Sequence, residues 1–449
     1  MMGGFTKKSC SLLLLVVSGI FASLLHADVL PRSEHPEPLM FRSDWMTLNG
    51  VWEFAETDGN ETYLDSRLYP DQITVPFCRE SALSGLARTQ FVKNVWYRKM
   101  VSLPPSWQGK QIFLHIGACD FRTTLYVNNK EAYVHQGGSS PIRADITAFL
   151  QSGENTLIVH AFDDVRSGLQ AGGKQSPQPE SYGCMYTRTT GIWQSVWLEA
   201  VDPLHIVSYR VTADRGRGGA LLDVNLSGVA EGLKLTVRAF SDEVPISEAT
   251  VRCAGSSTSL FLSIPAPRWW MPEDPFLYDL ELRLEEGDRV CDIVSGYFGL
   301  RTVELKGRSF LLNGEAIFQR LVLDQGFYPD GIWTAPSDEA LKKDIELSMA
   351  AGFNGARLHQ KVFEPRFLYW ADRLGYMVWG EYPNWGLEPG NPASFNTVLA
   401  EWAAIIARDF NHPSIIGWCP FNETTAKDIP LQAMVVDLTK RLDPFRPVL

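Results

Sequence analysis

The chain has 449 residues, 45% of them hydrophobic and 12% aromatic, which is enough apolar surface for several cores and, by length, about three domains. Asp and Glu outnumber Lys and Arg by 52 to 41, for a formal charge of −11. A chain of that sign, with no Lys/Arg run standing apart, has no general attraction for a phosphate backbone, which sets nucleic acid aside as a partner.

At the amino end, Lys7 and Lys8 precede the apolar stretch SLLLLVVSGIFASLL, no acid occurs before Asp28, and a small residue stands at Ala27. A basic segment, an apolar core and a small residue at the cut read as a secretory signal peptide over 1–27. The stretch falls short of the roughly 20 residues that a membrane-spanning helix needs, and no later run is longer. The expectation is export, to a periplasm or the outside, with no membrane span. Of seven cysteines, six follow this leader: Cys78, Cys119, Cys184, Cys253, Cys291 and Cys419. Scattered without a C-x-x-C pair, they read as small buried hydrophobes rather than staples. The histidines show no ligand spacing, so neither a metal nor another cofactor is implied.

From 28 to 200, runs such as KQIFLHIGA, TTLYVNN, NTLIVHAF and QSVWLEAV are rich in branched and aromatic residues and bounded by Gly, Asn and Asp. They predict strands of a jelly-roll β-sandwich. A second set, HIVSYRVTA, GALLDVNL, LKLTVRAF, SLFLSI and LYDLELRL, predicts an immunoglobulin-like sandwich over 201–300. From 301 to 449 the pattern becomes strand, helix, strand, helix. AIFQRLVL leads to a helix opening at Ser337, and FNGARLH to one running from Glu364-Pro365 to Gly375. YMVWGE leads to one that buries Val398, Leu399, Trp402, Ile405 and Ile406. SIIGWCP, a helix over about 430–442 and a stub PVL follow. Short apolar strands alternating with helices predict a parallel sheet, here the first half of a (β/α)8 barrel, with no Gly-rich turn to suggest a doubly wound sheet.

In such a barrel the reacting groups stand at the carboxyl ends of the strands. Those ends carry Asp324, then Arg357 and His359, then Glu381, then Asn422 and Glu423, edged by Trp379, Trp385 and Trp418. Carboxylates, a guanidinium and an imidazole among aromatic rings suit a sugar, whose C–H faces stack while its hydroxyls accept and donate hydrogen bonds.

LNGVWEF, VPFCRESALSG, VWYRKMVSLPPSWQGKQIFLHIGACDFRTTLYVNNKE and TGIWQSVWLE resemble the sugar-binding jelly roll of glycoside hydrolase family 2, the group of β-galactosidases, β-glucuronidases and β-mannosidases. RWWMPEDPFLYDLEL and GYFGLRTVEL resemble the close of its immunoglobulin-like domain. FLLNGEAIFQR, GFNGARLH and NHPSIIGWCPFNE resemble the first half of its barrel. The resemblance implies a retaining exo-β-glycosidase acting on a carbohydrate substrate, with a lean to β-galactosides. It implies Glu423 as acid/base, its pKa raised by apolar surroundings so that it can protonate the leaving oxygen, and Asn422 as the amide on the sugar 2-hydroxyl. Arg357 and His359 fall in the family's Arg-x-x-His region, spaced Arg-x-His here. His359 is then a hydroxyl contact, and Arg357 either binds substrate or pairs with Glu381. Asp324 and Trp385 are further pocket candidates. The family's nucleophile lies on a seventh strand that this sequence, ending in a fifth, does not reach. The expectation is the front part of an enzyme, the alternative an inactive or sugar-binding remnant.

Overall fold

In the strand Gly50–Thr57, Trp52 and Phe54 are buried at 1% and 0% exposure while Val51 between them is 54% exposed. This two-residue period places one face of each strand on a core. The computed structural model describes residues 30–59 and 68–449; the leader read as a signal peptide lies outside them. Two antiparallel sheets enclose the first core. One runs in the order Trp45–Thr47, Val196–Val201, Gln111–Ile116, Ile142–Asp145. The other runs Asp71–Val75, Gly50–Thr57, Asn94–Ser102, Glu154–Phe162, Arg122–Val127, Lys130–Gln136. The five buried cysteines and the exposed Cys184 are all free thiols.

The second sandwich packs a three-stranded sheet (Ile206–Asp214, Gly219–Leu226, Ser257–Ser263) on a four-stranded one (Val244–Arg252, Lys234–Ser241, Tyr278–Glu286, Arg289–Phe298). A hairpin over 303–316 then brings Phe310 and Leu312 against Met377 and Ile416 at the amino ends of the next sheet.

That sheet is parallel, with its strands in chain order: Leu321–Asp324, Gly355–Leu358, Met377–Glu381 and Ile415–Cys419. Helices α1 (Asp338–Ala350), α2 (Pro365–Leu374), α3 (Phe395–Asp409) and α4 (Ile429–Leu442) cover its outer face. Local chemistry sets their ends. The Ser337 side chain accepts from the Ala340 N–H ahead of α1, Pro365 opens α2 and Gly375 closes it, as capping requires. In α3, Val398, Trp402, Ile405 and Ile406 are buried and Leu399 half-buried. The chain's last residues lie against the fourth strand, where Val448 bridges Trp418. The first strand differs from its expected extent. Its apolar run begins at Ala316, but Glu315–Ala316 pairs with the hairpin, and only Leu321–Asp324 joins the parallel sheet. Among the described residues no helix is long and apolar enough to cross a membrane.

The second sandwich and the parallel sheet are pinned by Asp372, a fully buried residue of α2. Its carboxylate accepts from the Tyr297 hydroxyl at 2.8 Å and the Ser414 N–H at 2.8 Å, and its carbonyl accepts from the Trp270 indole at 2.7 Å. The first sandwich docks through Glu401 of α3, whose carboxylate accepts from the Ser139 N–H at 2.7 Å and the Tyr382 hydroxyl at 2.8 Å.

Candidate active site

Residues paired across a parallel sheet share a face. Leu323, Arg357 and Trp379 form one such row, and Glu381 with Cys419 the next. This is the face opposite the helices, the lumen of a barrel. Gly417 makes the row possible: a Cβ there would lie 2.4 Å from the Trp379 ring.

Glu381 is the hub. Its side chain is fully buried and holds the Arg357 guanidinium through Nε. Oε1 accepts from the Gln360 N–H at 2.9 Å and lies 3.1 Å from His359 Nδ1. Burial alone would push this carboxyl up, but His359, Arg357 and the Gln360 N–H outweigh it and hold Glu381 below the usual carboxylate range. The same burial, with Glu381 alongside, raises the Cys419 thiol to about 12, so it stays neutral.

Arg357 also reaches the fourth strand, where Nη2 donates to Asn422 Oδ1 at 2.9 Å. With the amide oxygen so held, Asn422 Nδ2 is left as a donor without a protein partner among the described residues. Beyond the third strand, Asn384 Nδ2 and Trp385 Nε1 both donate to the Asn422 carbonyl, at 3.1 and 3.2 Å.

Glu423 follows in the left-handed region, φ +47°, with an exposed side chain. It edges a cavity of about 160 Å3 shared with Trp385, Leu387, Phe395 and Phe421. The expected apolar enclosure of its carboxyl is not made by the described residues, which leave Glu423 exposed. Asp428 and Glu388 edge the same cavity but are engaged, Asp428 accepting from the Thr425 and Gly390 N–H groups and Glu388 from the Asn391 amide.

The structure thus brings Arg357, His359, Glu381 and Asn422 together at one end of one face, with Glu423 next in the chain on the cavity beside Trp385. It does not bring Asp324. Register pairs Asp324 with Leu358 in the helix-side core. Its carboxyl accepts from the Gly326 N–H at 2.9 Å, and burial raises its pKa. Trp418 is likewise on the helix side, edge-on to Trp402 and donating to Asp443 at 2.8 Å. Trp379 is in the lumen with its indole on Gln319. One face of Trp385 is taken by the Lys174 ammonium, 3.5 Å from the ring centre, so that face is closed to a sugar. Gln360, Asn384 and Lys174 escaped the sequence reading. The first two are amides within three residues of a strand end, and that position was their only signal.

Three family models cover most of the chain: glycosyl hydrolases family 2, sugar binding domain, over 72–199; glycosyl hydrolases family 2 over 204–301; and glycosyl hydrolases family 2, TIM barrel domain, over 303–449. A β-glucuronidase of Paenibacillus borealis is 27% identical over 91% of this chain and 74% of its own length. A β-galactosidase of Thermoanaerobacter pseudethanolicus is 24% identical over 90% of this chain but only 55% of its own length. Among solved structures, a β-D-glucuronidase of Dictyoglomus thermophilum superposes with a TM-score of 0.74 at 24% identity, covering 92% of this chain and 73% of that one. The chain therefore spans between about half and three quarters of these relatives. The chain belongs to glycosyl hydrolases family 2, a family of glycoside hydrolases.

Proposed function

We propose that this chain carries the acid/base carboxyl, Glu423, of a retaining exo-β-glycosidase. The observation that supports it most is the Asn422 amide. Arg357 holds its oxygen, which leaves Nδ2 as a directed donor one residue from an exposed carboxyl at the end of the fourth strand. A donor to the sugar 2-hydroxyl at that place strengthens as the oxocarbenium-like centre develops, so it lowers the barrier rather than only binding. Glu423 then protonates the leaving oxygen and afterwards deprotonates the attacking water. His359 suits a neighbouring hydroxyl. Glu381, locked to Arg357 and His359, supports the site and is not its nucleophile.

Among substrates we take β-glucuronides first, because the Paenibacillus borealis relative, of which the chain covers the larger share, carries that name. The β-galactosides favoured by family prevalence come second, supported by the Thermoanaerobacter relative. The basic and apolar leader supports export. The test is hydrolysis of 4-nitrophenyl β-D-glucuronide, β-D-galactoside and β-D-mannoside by the full-length enzyme and by Glu423→Gln. One sugar is expected to turn over, and the variant to lose about 10²–10⁴-fold in kcat on a glycoside with a poor leaving group. Saturable sugar binding without turnover of any of the three would replace this reading with that of a binding protein.

A further inference from the structure

Glu423 makes no hydrogen bond of its own among the described residues, so the direction of its carboxyl is set by the peptide on which it hangs. That peptide is clamped. Asn384 Oδ1 accepts from the Asn422 N–H at 2.8 Å while its Nδ2 donates to the Asn422 carbonyl at 3.1 Å, gripping the residue from both ends. Gln360, fully buried, in turn fixes the Asn384 amide. Its Nε2 donates to Asn384 Oδ1 at 2.6 Å, and its Oε1 accepts from the Trp385 N–H at 3.0 Å. The Gln360 N–H completes the chain to Glu381. A residue other than glycine at φ +47° is uncommon and is held there by its surroundings.

The clamp has an outer support from the first sandwich. Gly173, in the loop after Glu154–Phe162, gives its N–H to the Pro383 and Trp385 carbonyls, both at 3.1 Å. It sits so close to Gln360 that a Cβ would lie 2.2 Å from the Gln360 carbonyl oxygen. The third strand's exit is therefore pressed between this loop and the fourth strand's exit.

We propose that Asn384 and Gln360 are positioning residues for the acid/base step: they aim Glu423 at the leaving oxygen through the Asn422 peptide, with Gly173 of the first sandwich as their backing. This rests on the acid/base reading of Glu423.

The test measures kcat and KM of the full-length enzyme, Asn384→Ala, Gln360→Ala, Asn384→Asp and Glu423→Gln. Substrates are an alkyl glycoside, which needs protonation to leave, and the 2,4-dinitrophenyl glycoside of the same sugar, which does not. Misaiming by about 1 Å can cost 10²-fold. Asn384→Ala and Gln360→Ala are expected to lower kcat on the alkyl glycoside at least about tenfold more than on the dinitrophenyl one, with the change in kcat rather than KM. Asn384→Asp keeps the acceptor for both N–H groups and is expected to recover part of the loss. It also carries the test should Asn384→Ala not fold. A merely structural role would lower both substrates equally. If Glu423→Gln shows the leaving-group dependence while the amide variants lower both substrates alike, or neither, the positioning proposal is overturned and the acid/base reading stands. If Glu423→Gln shows none, both fall.

Discussion

Glu381 shows how one buried charge organises a site. Its depressed pKa means that the folded state binds its proton more weakly than the unfolded chain. The stabilisation is thus present above the unfolded value of about 4.3 and lost as pH falls through the lower folded value. Arg357→Met leaves this carboxylate buried with His359 and the backbone and side-chain N–H groups of Gln360 but no fixed cation, and is expected to cost about 3–5 kcal/mol at pH 7. Urea unfolding of both proteins would show it, with the gap narrowing at low pH as Glu381 takes up a proton in each. A pH-independent difference would count against the ion pair as the cause. Asn422 and Glu423 were legible in the sequence because they are adjacent and end an apolar run. Gln360 and Asn384 were not, because an amide declares its role only through partners that lie 24 and 38 residues away in the chain.

At the scale of elements, helix punctuation is local and so could be read directly. Ser337, Pro365 and Gly375 stand where the helices begin and end. Ser337→Ala removes the side-chain acceptor of the Ala340 N–H and is expected to cost about 1 kcal/mol, seen as a lower urea midpoint at unchanged slope. A midpoint unmoved would mean that tertiary packing, not the cap, holds the end of α1. The strands were harder, because parallel partners are set by distant sequence. A one-residue change of register exchanges the faces of a strand. Asp324 and Trp418 belonged to the expected pocket by position along their strands and to the helix layer by side-chain alternation. The same alternation puts Arg357 and Glu381 in the lumen, where nothing in their composition distinguishes them from a surface pair.

Across the whole molecule, the first sandwich meets the parallel sheet at the site, while the second meets it at the amino ends of the strands. Gly173 and Lys174 of the first sandwich close on Gln360 and Trp385, and Asp372 ties the second sandwich to the strand that delivers Glu423. In the parallel-sheet domain, Phe318, Leu347 and Phe445 are more than half exposed and Leu323 half exposed. Apolar faces of this kind seek partners, so the 449-residue chain expressed by itself is expected to self-associate. Light scattering after size exclusion would give a mass above the monomer's, and a monodisperse monomer would contradict it. Rescue by azide tests whether Glu423 is the acid/base. With Glu423→Ala in the full-length enzyme, hydrolysis of a 2,4-dinitrophenyl β-glycoside should accelerate as azide is added and yield a β-glycosyl azide, since the anion needs no general base to attack the glycosyl-enzyme. A rate indifferent to azide, with no such product, would contradict the assignment.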